Sequence, residues 1–128
     1  MSFHTIIIVG NLGRDPEMRY MQDGTAVTTL NVASNRQYTS NGQKVKETTW
    51  FRVSVWGAQA ESCNTYLKKG SSVLVEGELK PDKETGGPRV YESNGKHGAS
   101  YEVTARTVRF LGGANGQSQP EDDGDIPF

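Results

Sequence analysis

The segment Trp50-Phe51-Arg52-Val53-Ser54-Val55-Trp56 holds the side chains best suited to chemistry. Its β-branched and aromatic residues read as a strand, in which successive side chains point to opposite faces. Phe51, Val53 and Val55 then share one face, apolar enough for a core, while Trp50, Arg52, Ser54 and Trp56 share the other. Two tryptophans flanking an arginine are out of place on a solvent-facing strand, where charged or small polar groups are usual. Two chemistries fit. As a binding platform, the rings would stack on unpaired bases for about 1–3 kcal/mol each, while Arg52 meets phosphate or a ring face. As interface anchors, the tryptophans would pack under a loop or against another subunit, and Arg52 would pair with a carboxylate such as Glu76 or Glu78.

Further cations stand at Arg14, Arg19, Arg36, Lys44, Lys46, Lys80, Lys83, Arg89 and Lys96, several in turn-rich segments that also carry Tyr38 and Tyr91. Any one of them is an ordinary solvated charge. Interleaved with aromatics, they suit a groove that follows a flexible polyanion. A single strand exposes the base faces that a duplex hides.

A second recognition element closes the chain: Asp122-Asp123-Gly124-Asp125-Ile126-Pro127-Phe128. The Gly-, Gln- and Ser-rich run before it cannot offset the entropy of a fixed conformation, so residues 112–121 read as a flexible linker and the C-terminal tail as disordered. One reading of residues 122–128 is a frayed, solubilising end. The other is bait for a partner protein: Ile126, Pro127, Phe128 and the free carboxylate, with Asp122, Asp123 and Asp125 beside them, fit a basic pocket with an apolar floor.

Catalysis finds little support. There is no phosphate-binding loop, dinucleotide fingerprint or nucleophile elbow. The tail acids offer no fixed geometry for Mg²⁺. Cys63 can form no internal disulfide, and His4 and His97 make no metal cluster of recognisable spacing, so no cofactor or metal is expected. Residues 1–119 carry fourteen cations and eleven acids, a net of +3, against the four acids after them. A mildly basic body thus bears an acidic tail. No apolar run approaches about 18 residues and the N-terminus lacks signal-peptide features, so a cytoplasmic protein without membrane contact is expected.

These residues must be held by a small framework. Fifteen glycines and an apolar fraction of 34% favour short strands over a helical bundle. Periodicity and turn signals give five main strands: Thr5–Leu12, Thr25–Ala33, Lys46–Trp56, Ser72–Leu79 and Tyr101–Leu111. One helix is predicted over Ala58–Lys69, stopped by Gly70. A helix between strands three and four of five is the order of an OB-fold, an all-β Greek-key barrel, although periodicity also permits another small barrel or a sandwich. Asn35–Val45 and Pro81–Gly98 read as long hairpin loops with turn signals at Asn41-Gly42 and Asn94-Gly95, placed where OB-folds grip ligands. Residues 1–111 are the domain.

Several motifs resemble the bacterial single-stranded DNA-binding proteins. They are Val9-Gly10-Asn11-Leu12-Gly13-Arg14-Asp15-Pro16-Glu17-Met18-Arg19-Tyr20, Trp50-Phe51-Arg52-Val53 with Trp56-Gly57, Tyr66-Leu67-Lys68-Lys69-Gly70, Val75-Glu76-Gly77-Glu78-Leu79 and the acidic Asp-Ile-Pro-Phe end. The resemblance implies a non-enzymatic OB-fold homotetramer that wraps single-stranded DNA without sequence preference and protects it in replication, recombination and repair. It implies a nucleoid-associated, cytoplasmic protein whose tip recruits genome-maintenance proteins. Trp50, Arg52 and Trp56 carry over as DNA contacts, Tyr38 falls where the family often has a stacking Trp, and Asp122, Asp123, Asp125, Ile126, Pro127 and Phe128 carry over as the partner-binding tip. Phe51 departs from a His near a subunit contact. A loop Trp after the fourth strand is missing, with Tyr91 the candidate in its place beside an insertion around Thr85–Pro88. The linker is also shorter than in many members. An RNA-binding OB module and a protein-interaction barrel stand as rival readings.

Overall fold

The structure, a computed structural model, describes residues 2–112. Its strands are β1 (Ile6–Leu12), β2 (Glu17–Tyr20), β3 (Ala26–Ser40), β4 (Gln43–Trp56), β5 (Ser72–Leu79), β6 (Arg89–Ser93) and β7 (Lys96–Gly112), with helix α1 (Ala58–Tyr66) between β4 and β5. The strand order is β1-β5-β7-β4-β3-β2, and β1 returns to pair with β3 at Asn11↔Ala33 and Leu12↔Val32. That contact closes β1, β5, β7, β4 and β3 into a five-stranded barrel, the OB-fold expected from the element order. Every pairing is antiparallel except β4 with β7, where Arg52 lies beside Glu102 and Val53 beside Val103.

Alternation along the strands fills the interior. Leu30, Val32, Val53, Val55, Val73, Val75 and Val103 are fully buried, and Cys63 and Leu67 from the helical segment plug one end. Buried Thr28 donates from Oγ1 to the Ala60 carbonyl at 2.7 Å and so ties α1 to β3. The helix stops at Tyr66, short of the predicted Lys69. Leu67 turns extended (φ −101°) and buries its side chain, after which the Lys68 and Ser71 main chains bond to each other and Gly70 donates to the Leu12 carbonyl. Tertiary partners take the groups another helical turn would have used.

The first predicted long loop is mostly strand, and the second is strand from Arg89 onward apart from its turn. β3 and β4 stay paired from Val27↔Trp56 out to Ser40↔Gln43, and Asn41 and Gly42 turn the chain with φ of 53° and 78°. Asn94 and Gly95 (φ 53° and 80°) close the β6–β7 hairpin in the same way. Positive φ at both central residues is what an Asn-Gly hairpin turn requires. The outer parts of both hairpins are exposed on both faces, so the alternation that marks a half-buried strand is missing there. Short β2, which follows Pro16 and is largely exposed, escaped prediction for the same reason. No helix among the described residues is long and apolar enough to cross a membrane.

Candidate nucleic-acid interface

The outer face of β4 is one continuous stripe. Period-2 geometry sets Lys44, Lys46, Thr48, Trp50, Arg52, Ser54 and Trp56 on one side, opposite buried Val53 and Val55. Trp50 and Trp56 are 53% and 41% exposed, so among the described residues no loop covers either ring. Six residues of strand hold them about 20 Å apart, too far for one base to touch both.

Trp50 lies across Gly13, where an added Cβ would meet the outer ring atoms at 2.5 and 2.6 Å. The Gly13 N–H is itself fixed to the Asn31 carbonyl at 2.9 Å. A glycine therefore seats the ring, and it places Arg14, next in the chain and exposed, beside the platform. At the other end Arg19 pairs with Val27, which pairs with Trp56, so the cation and the ring share a face across three strands.

Arg52 pairs with Glu102 at 3.5 Å, not with Glu76 or Glu78. Those two carboxylates sit on β5, which β7 separates from β4; Glu78 instead meets Arg106 at 3.3 Å. Glu102 is 11% exposed at its side chain and also accepts the Ser100 hydroxyl at 2.6 Å. The guanidinium is thereby tethered on the strand face that carries both tryptophans, neither free nor buried. Nothing local in the sequence links residue 52 to residue 102; only the parallel β4–β7 closure does.

The β6–β7 hairpin extends the same face. Arg89 lies across from Ser100 and Tyr91 across from Gly98, on the side to which Glu102 points. Tyr91 covers Gly98 as Trp50 covers Gly13: a Cβ there would meet the phenol ring at 2.7 Å. Lys96, opposite Ser93, belongs to this face too. Lys83 is exposed in the preceding segment and does not line the cleft over Arg52.

Tyr38 and Arg36 are set apart. In the β3–β4 register they pair with Val45 and Glu47, the reverse face of the hairpin from Lys44, Lys46 and Trp50. There the Tyr38 hydroxyl donates to Glu47 at 3.3 Å, and the Arg36 guanidinium sits 5.1 Å from the Tyr38 ring centre and 3.9 Å from Glu47. The predicted site residues thus form one stripe and one separate cluster. A bound strand that used both would have to pass round the hairpin.

No competing chemistry appears in the described residues. Burial pushes the Cys63 thiol up to about 11, which leaves it protonated and unreactive at neutral pH. No group of His, Cys, Asp or Glu among the described residues is arranged to hold a metal. Asp122, Asp123, Asp125, Ile126, Pro127 and Phe128, with the linker from residue 113, lie outside the described residues.

The model of the Single-strand binding protein family matches residues 3–111. The single-stranded DNA-binding proteins of Neisseria meningitidis serogroup A and serogroup B are each 36% identical to this chain, over 100% of it and 68% of their own length. Among solved structures, a deletion mutant of the single-stranded DNA binding protein from Thermus aquaticus superposes with a TM-score of 0.65 at 31% identity, covering 85% of this chain. This chain spans 50% of that one. The small single-stranded DNA-binding protein from Streptomyces coelicolor shares the fold, with a TM-score of 0.70 at 22% identity, covering 86% of this chain and 95% of its own.

Proposed function

Because the chain belongs to the single-strand binding protein family, we propose that it binds single-stranded DNA without sequence preference along the outer face of β4 and the β6–β7 hairpin. The observation that carries this reading is the stripe itself: two half-exposed tryptophans on one strand face, with an oriented arginine between them and lysines beyond. Bases stack on Trp50, Trp56 and Tyr91, and every base has a face to stack, so sequence matters little. Arg14, Arg19, Arg52, Arg89, Lys44 and Lys46 supply cations along the path, with Lys83 at its margin, and their phosphate contacts release counterions. Tyr38 and Arg36 form a second contact on the reverse face. The role is protection of exposed strands in replication, recombination and repair, in the cytoplasm at the nucleoid, with no catalytic step. Asp122, Asp123, Asp125, Ile126, Pro127 and Phe128 recruit other genome-maintenance proteins.

Self-association into a homotetramer belongs to the same reading. Among the described residues, β1 pairs only with β5 from Ile6 to Val9, which leaves one backbone edge unused. Ile7 is 51% exposed beside it, and an apolar cleft lined by Ile6, Ile8, Val9 and half-buried Phe51 runs along that edge. An unpaired edge with apolar side chains is a template for another strand.

The test is Trp50→Ala. It is expected to weaken binding of a thymidine oligomer by about 1–3 kcal/mol while the fold stays intact. Unchanged affinity in a folded variant would overturn the platform.

A further inference from the structure

β5 and β6 lie end to end along one edge of β7. β5 pairs down to Leu79↔Val103, the Lys80 N–H donates to the Glu102 carbonyl at 2.7 Å, and β6 resumes at Arg89 opposite Ser100. Between those two attachments the chain spends eight residues, Pro81–Pro88, against the single residue Tyr101 on β7. The excursion is built, not slack. The Asp82 N–H donates to the Gly87 carbonyl at 2.8 Å and the Gly86 N–H to the Asp82 carbonyl at 2.9 Å. The Asp82 carboxylate accepts the Glu84 and Thr85 N–H groups at 2.8 and 3.2 Å, and the Thr85 hydroxyl accepts the Gly87 N–H at 3.0 Å.

Its position matters for the outer face. Asn31, Arg52 and Glu102 form a row across the sheet, and the Lys80 main-chain bond to Glu102 continues it to Lys80. Pro81 and Asp82 close the end of that row and, with Arg52, Lys80, Arg89 and Glu102, line a cleft of about 240 Å³. Both carboxylates there are occupied, Glu102 by Arg52 and Ser100 and Asp82 by backbone N–H groups. Among the described residues Lys80 and Arg89 form no ion pair. Two uncommitted cations therefore face a third that is already oriented, in a cleft whose anions are satisfied.

We infer that the Pro81–Pro88 excursion builds a phosphodiester subsite: Lys80 and Arg89 hold one phosphate of the strand as it crosses Arg52, and Pro81 and Asp82 wall the strand in. This rests on the proposed function and extends it, since it assigns Lys80 a contact and gives the inserted segment a task. A simple phosphate contact contributes about 0.7 to the slope of log affinity against log salt on single strands.

The experiment measures that slope with a thymidine oligomer and the full chain. Lys80→Ala is expected to lower it by about 0.7 and weaken binding, with Lys80→Arg restoring both. Arg109→Ala, an equal loss of charge on the far half of β7, is expected to leave the slope alone. Lys80→Gln gives the same reading should the alanine variant fold poorly. An unchanged slope in Lys80→Ala, or an equal drop in Arg109→Ala, would overturn the subsite while Trp50→Ala still reports on the platform. If the unaltered protein fails to bind the oligomer at all, the subsite falls together with the proposed function.

Discussion

At Gly13 the proposed binding platform depends on a side chain that is not there. A methyl group on Gly13 would press into the Trp50 ring at 2.5 Å, and the ring, half exposed, is the part free to move. Gly13→Ala is therefore expected to keep the fold, shift Trp50 emission and weaken single-stranded DNA binding, by no more than the about 1–3 kcal/mol lost with the ring itself. Fluorescence spectra and a binding isotherm of the variant check this; an unmoved spectrum with full affinity would mean the ring is not seated there. The outward pattern from Trp50 to Trp56 was legible because β4 is a barrel wall at that point, buried on one face and open on the other. The carboxylate partner of Arg52 was not. Glu102 is fifty residues away and reaches β4 only through the parallel closure, whereas Glu76 and Glu78 lie nearer along the chain.

At the scale of elements, five barrel strands and a helix could be read from periodicity, because each must bury one face. The outer hairpins could not. Residues 35–45 bury neither face and carry polar residues on both, so only Asn41-Gly42 announced that two strands meet there. The helix end was overrun by three residues because Lys68 and Lys69 suit a helix, while the buried Leu67 and the Lys68–Ser71 bonds require a turn. The β3–β4 hairpin carries Lys44 and Lys46 on the stripe face and Tyr38 with Arg36 on the reverse. The double variant Lys44→Ala/Lys46→Ala is expected to lower the salt slope for single-stranded DNA by about 1.4, two phosphate contacts, with the melting temperature unchanged since both side chains are exposed. A slope that does not move would place the strand elsewhere on the hairpin.

At the scale of the whole molecule, a body with net charge +3 precedes four acids in the last eight residues. On the proposed function, like charge on the tail and on DNA would make the tail a competitor for the basic face. Deleting residues 122–128 is expected to leave single-stranded DNA binding equal or slightly stronger and to abolish capture of genome-maintenance partners. Pull-downs with the full and shortened chains check it, and retention of the same partners would refute the assignment of the tip. Composition made this polarity visible at once, while the free β1 edge and its exposed Ile7 needed the closed barrel to appear. All of these effects converge on one claim, that unpaired DNA lies on the tryptophan face. Its most direct test is tryptophan fluorescence during titration with a thymidine oligomer, a matched duplex and a matched RNA, each at low and high salt. Strong quenching by the single-stranded DNA alone, weakening as salt rises, is the predicted result. No quenching by any of the three, with binding also absent in a mobility assay, would contradict the account and make Trp50 and Trp56 protein-interface residues.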